Sequence, residues 1–195
     1  MGHIRREDSA WFAVELNESI APWAYARGEP YRVISALELL ASTIALMVFG
    51  PATCLPSPCT AAVSVTGETD SQVATNVVAR GATTSFPLCA VAMELASQLE
   101  ARSATLSLEW APRYLNEEAD AFTNGDFSGF DPAKRLSVDF ASLPWLHLPE
   151  LLKEGQAYYA ETAKAKVARK GSTIAPATRK RPKGHESRLR FREPW

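Results

Sequence analysis

Residues 33–50 (VISALELLASTIALMVFG) form the longest apolar run of the chain, set between turn chemistry at Arg27-Gly28-Glu29-Pro30 and a Gly50-Pro51 stop. The run approaches the length of a membrane span, but Glu38 lies inside it and Ser35, Ser42 and Thr43 dilute it, so a buried helix is expected and no membrane partner. Ile34, Leu37, Leu40, Ile44 and Val48 recur at helical spacing, which predicts one long helix over residues 33–49.

Around that helix the chain alternates between strand and helix patterns. Residues 11–16 (WFAVEL) and 21–26 (APWAYA) flank the polar Asn17-Glu18-Ser19 and read as a two-stranded hairpin. Residues 61–66 (AAVSVT) read as a short buried strand ending near Gly67, followed by a helix over 71–79 that Arg80-Gly81-Ala82 breaks. Leu88, Val91, Ala92, Leu95 and Leu99 mark an amphipathic helix over 86–99, and residues 105–110 (TLSLEW) alternate as a strand ended by Ala111-Pro112-Arg113. A short helix suits 116–122, turn residues dominate 124–143, one more helix fits 146–169, and nothing after Gly171 looks packed. The order ββαβααβα predicts an α/β fold, a mixed sheet whose parallel strands are covered by helices. With 195 residues, 46% hydrophobic and 22% charged, one globular domain with tails is expected.

The net charge of −1 conceals a segregation of sign. Residues 164–195 hold 11 of the 21 Lys and Arg against only Glu186 and Glu193, a net of +9, which leaves −10 on residues 1–163. A disordered polybasic tail behind an acidic body is suited to neutralising phosphates, so Lys164, Lys166, Arg169, Lys170, Arg179, Lys180, Arg181 and Lys183 are the candidate nucleic-acid contacts. The N-terminus, MGHIRREDSAW, lacks the apolar stretch of a secretory signal, and three cysteines, Cys54, Cys59 and Cys89, do not make a disulfide framework. An intracellular chain with reduced thiols is expected. His3, His147 and His185 are isolated, and the phosphate-loop, dinucleotide and G-x-S-x-G patterns are missing, which argues against zinc catalysis, nucleotide binding and a hydrolase elbow.

Three carboxylates remain at positions that an α/β sheet would bring to one crevice: Glu38 in the long helix, Asp70 after the strand, and Asp120 on the short helix. Thr69-Asp70-Ser71-Gln72 after a strand, and the run from Trp110-Ala111-Pro112 through Asn116, Ala119 and Asp120, resemble the ribonuclease H-like domain that follows reverse transcriptase in retroelement polyproteins. That family writes a strand ending W-x-P, then N-x-x-A-D at the start of its last helix. Residues 34–41 (ISALELLA) are similar to its first helix with the catalytic glutamate.

The resemblance covers residues 11–125 and implies a three-stranded meander, a helix, a parallel strand, helices and a last strand. It also implies two Mg2+ ions held by four acidic residues, cutting the RNA strand of an RNA–DNA hybrid. Carried over, Glu38, Asp70 and Asp120 become catalytic metal ligands. The family's first strand and its central aspartate have no counterpart here: residues 1–10 are a polar segment, and Asp8 would fall at the entrance to the second strand. Arg113-Tyr114 stands where cellular members carry a mobile histidine. The expected organisation is a polar segment (1–10), a partial ribonuclease H-like domain lacking its first strand (11–125), an irregular segment with an extra helix (126–163) and a basic tail (164–195). Two functions follow: a ribonuclease H-type endonuclease active when an upstream strand and aspartate are supplied, or a noncatalytic nucleic-acid-binding or interaction domain derived from a retroelement. With one strand missing, residues 11–16 are expected to pair directly with 61–66.

Overall fold

The computed structural model describes residues 10–26, 28–53, 62–112, 121 and 124–171. The chain divides into a unit from Met1 to Tyr158 and a second from Tyr159 to Trp195, of which the described residues are helical to Gly171.

In the first unit, α1 (Pro22–Tyr25) and a 3-10 turn (Pro30–Val33) lead into α2 (Ile34–Phe49). Strand β1 (Val63–Thr69), helices α3 (Gln72–Arg80) and α4 (Leu88–Ala101), and strand β2 (Ala104–Trp110) follow. Two 3-10 turns (Pro132–Lys134, Phe140–Ser142) precede α5 (Leu148–Gly171). The two strands pair in parallel, in register from Val63 opposite Ala104 to Thr69 opposite Trp110. Parallel neighbours need a crossover, and α3 and α4 supply it. The fold is therefore α/β, with α3 packed on the strands and α2 packed on α4 and α3.

The local chemistry sets the element ends. Ser71 Oγ accepts from the Ala74 N–H at 3.1 Å and caps α3. Gly81 closes that helix at φ +68°, a conformation glycine adopts without strain, and its N–H donates to Val77 O at 2.9 Å. Helix α2 stops at Gly50, where any side chain would overlap the Leu46 carbonyl.

The buried face of α2 is Ala36, Leu39, Leu40, Thr43, Ile44 and Leu46, turned from the expected stripe, with Ile34 half exposed. A helix apolar almost all round lets its neighbours choose the face. Thr43 is tolerated there because its hydroxyl donates to Leu39 O at 2.8 Å.

Three expectations are corrected. Residues 11–16 and 21–26 form no hairpin: Trp11 makes a single parallel bridge with Arg135, and α1 replaces the second strand. Asn17 explains this locally, because its side-chain oxygen accepts from the Ser19 and Ile20 N–H groups, turning the chain into Pro22 at the helix start. Trp11 is held elsewhere, stacked on Phe127 at 5.3 Å with Arg135 over its ring and its indole N–H donating to Asp131 O at 2.8 Å. Secondly, residues 11–16 do not pair with β1, whose only strand partner among the described residues is β2. Thirdly, no residue of either strand is buried, and β1 runs past Gly67 to Thr69. Helix α2 stands off the strands, leaving a cavity of about 550 Å3 between its second half and the sheet.

The expected helix over 116–122 falls, apart from Ala121, outside the described residues, as do Cys54 and Cys59. Among the described residues no helix is long and apolar enough to cross a membrane.

Candidate functional site

The two strands deliver their ends to one place. At the carboxyl end of β1, Thr69 O accepts from the Ala111 N–H at 2.9 Å, and the Trp110 indole N–H donates to Asp70 O at 3.1 Å. The Ser71 N–H donates to Thr69 Oγ1 at 3.2 Å, so the Asp70 backbone is fixed from both sides, and the residue is half-buried. The Thr69-Asp70-Ser71-Gln72 run and the Trp110-Ala111-Pro112 strand end, widely separated in sequence, are thereby neighbours. The carboxyl end of parallel strands is where α/β folds place their sites.

Glu38 lies in the second turn of α2, half-buried, its carbonyl accepting from Ser42 Oγ at 3.3 Å. Helix α2, which carries Glu38, packs on α3, the helix that begins two residues after Asp70. Asp120 lies outside the described residues. Among the described residues no group of three or more His, Cys, Asp or Glu side chains is placed to hold a metal ion, so Glu38 and Asp70 do not by themselves form a two-ion ligand set.

A cleft of about 420 Å3 runs between the first turn of α2 and the face of α3, and neither Glu38 nor Asp70 lines it. Ser35, Asn76, Arg80, Thr83 and Ser85 are its polar lining and Val33, Val77 and Phe86 part of its apolar lining. It combines polar side chains and one cation with an apolar base.

Of the candidate basic contacts, Lys164, Lys166, Arg169 and Lys170 lie on α5, which continues to Gly171; Lys164 is exposed. Thus residues 164–171 are helical where a tail is expected, and Arg179, Lys180, Arg181 and Lys183 lie outside the described residues.

Comparison of the chain with protein-family models, with curated proteins and with solved structures gives no match. The sequence motifs and the geometry therefore stand alone.

The most elaborate polar cluster was not anticipated. Glu94 and Gln98, on successive turns of α4, and Arg102, which follows its last turn, are buried. Glu94 Oε1 accepts from Gln98 Nε2 at 2.7 Å and from the Leu146 N–H at 2.9 Å; its Oε2 accepts from the His147 and Leu148 N–H groups, each at 2.7 Å. Gln98 Nε2 also donates to Pro144 O at 2.8 Å, and Arg102 donates to both Gln98 oxygens. Burial alone would raise the Glu94 pKa, but the donors from Leu146, Gln98, His147 and Leu148 together outweigh it and hold the carboxyl below its ordinary value. Burial lowers the Arg102 pKa, and the Glu94 charge partly restores it. A carboxylate so fully engaged has nothing left for chemistry. It anchors the start of α5. The only sequence signal is the spacing of Glu94, Gln98 and Arg102, four residues apart along and just beyond α4.

Proposed function

We propose that the chain is a partial ribonuclease H-like domain of a retroelement polyprotein, in which Glu38, Asp70 and Asp120 are carboxylates for a pair of Mg2+ ions. The ions would supply a metal-activated water and stabilise the leaving oxygen during hydrolysis of RNA in an RNA–DNA hybrid. The observation that carries the reading is the in-register parallel pair that sets Asp70 beside the Trp110-Ala111-Pro112 strand end, with the indole of Trp110 on the Asp70 carbonyl. The described residues lack a full metal-ligand group, and the reading assigns the rest to Asp120 and to an aspartate on a strand supplied from upstream.

The test is cleavage of a labelled RNA–DNA hybrid in Mg2+. Residues 1–195 alone are expected to cut little or not at all, and a longer form with an upstream strand bearing a central aspartate is expected to cut. Asp70→Asn should abolish that activity. Strong cleavage by residues 1–195 alone, or an inactive but folded longer form, would overturn the reading.

The charge segregation favours a second reading: a noncatalytic domain that binds nucleic acid through the basic residues from Lys164 onward. Its signature is hybrid binding by the longer form that Asp70→Asn leaves unchanged, without cleavage.

A further inference from the structure

The cleft between α2 and α3 gathers groups that the nuclease reading leaves unused. Val73, Asn76, Val77 and Arg80 line it from α3, and helical spacing puts all four on one face of that helix. Ser35 lines it from α2. The Asn76 amide, the Arg80 guanidinium and the Ser35 hydroxyl make no hydrogen bond or ion pair with any other described residue. One solvated polar side chain is ordinary on a protein surface, but here a cation, an amide and a hydroxyl meet over an apolar base.

That base is buried at Val77 and Phe86, while Ile34 and Val73, 50% and 44% exposed, form apolar lips. The Phe86 ring is held in place, because Gly155 of α5 abuts it without room for a methyl group between them. A cleft of about 420 Å3 with a firm apolar base and a few polar groups has the size and make-up of a small-molecule site.

Charge chooses the ligand. Among the described residues Arg80 is the one charged side chain lining the cleft, and no Asp or Glu lines it. The whole chain, basic tail included, carries −1, so a small anion meets little overall repulsion. One guanidinium balances one negative charge and presents a planar fork of donors, which matches a carboxylate better than a doubly charged phosphate. The Asn76 amide and the Ser35 hydroxyl can donate to the carboxylate lone pairs that Arg80 leaves over. We propose that this cleft binds a small organic monocarboxylate, with its head at Arg80 and a compact apolar body against Val77 and Phe86. Neither Glu38 nor Asp70 lines the cleft, so the site is independent of the nuclease reading.

The experiment titrates the full chain with phenylbutyrate and follows amide shifts by heteronuclear NMR. Saturable shifts centred on residues 33–36, 73–80 and 82–88 are expected. Phenylbutanamide, which keeps the body without the charge, should bind about tenfold more weakly or worse, and so should acetate, which keeps the head without the body. Arg80→Gln should bring the acid down to the level of the amide while leaving the amide unchanged. If that variant fails to fold by circular dichroism, the comparison of acid and amide on the unmutated chain still decides. No saturable binding of phenylbutyrate, equal binding of the amide or of acetate, or undiminished binding of the acid by folded Arg80→Gln would overturn the proposal.

Discussion

Glu94 shows how one carboxylate can organise a chain over a long separation. It accepts from the backbone N–H groups of Leu146, His147 and Leu148, which lead into and open α5, and does so from α4. Glu94→Ala would strip the acceptor from three N–H groups and from Gln98, and leave Arg102 buried without its counter-charge. A loss of about 3 kcal/mol is expected, measured by denaturant unfolding. The pH dependence has a definite sign. A carboxyl held below its ordinary value of 4.5 stabilises the fold fully above that value, and the contribution fades as the pH falls through the folded-state pKa. The unfolding midpoint should therefore drop below pH 4.5 more steeply in the parent than in Glu94→Ala. Sequence patterning could not show this residue's role, because a Glu, Gln and Arg spaced by one helical turn read as a solvated stripe. What buries them is the 144–148 segment, brought from beyond β2.

At the scale of elements, what was legible depended on whether the decisive chemistry was local. Helix α3 was legible at both ends because Ser71 and Gly81 act within their own turns; Ser71→Ala should cost about 1 kcal/mol. The hairpin was misread because strand propensity in residues 11–16 competes with the Asn17 turn and with capture of Trp11 by residues 127–135, and only the turn is local. The rotated face of α2 was hidden for the opposite reason: nearly every position is apolar, so periodicity hardly distinguishes one face. Of the candidate site, the position of Asp70 just after β1 follows from the local strand pattern, whereas the bond from Trp110 to its carbonyl depends on strand register, which no local pattern specifies. Helix α5 supplies a sharper test. Gly155 packs so closely on the Phe86 ring that an added methyl group would overlap it. Gly155→Ala should gain helix propensity yet destabilise the protein, by about 1 to 3 kcal/mol in the same unfolding measurement. A stabilising result would show that Phe86 yields freely.

Across the whole molecule, charge and apolar exposure set the behaviour in solution. The +9 on residues 164–195 should make any nucleic-acid affinity steeply salt-dependent and poor at discriminating sequence. Deleting those residues should remove most of it, as read by anisotropy on a labelled duplex over a salt series. Binding that survives the deletion would move the interface to the acidic body. Exposed Phe49 and Val63 also predict self-association of the isolated chain at high concentration, detectable by light scattering.

The bridge between Trp11 and Arg135 carries a consequence for the order in which the chain assembles. The indole reaches a carbonyl 120 residues away in sequence, so forming that contact closes nearly the whole first unit into a loop. Loop closure is cheaper once intervening segments have already condensed, which makes this stitch a late event in folding and an early one to open. Local opening at the stitch would release the chain start while β1, β2 and the helices between them stay folded. Native-state hydrogen exchange should accordingly find the Trp11 and Leu136 amides, which bond across the stitch to Lys134 and Trp11, exchanging well before those of α4.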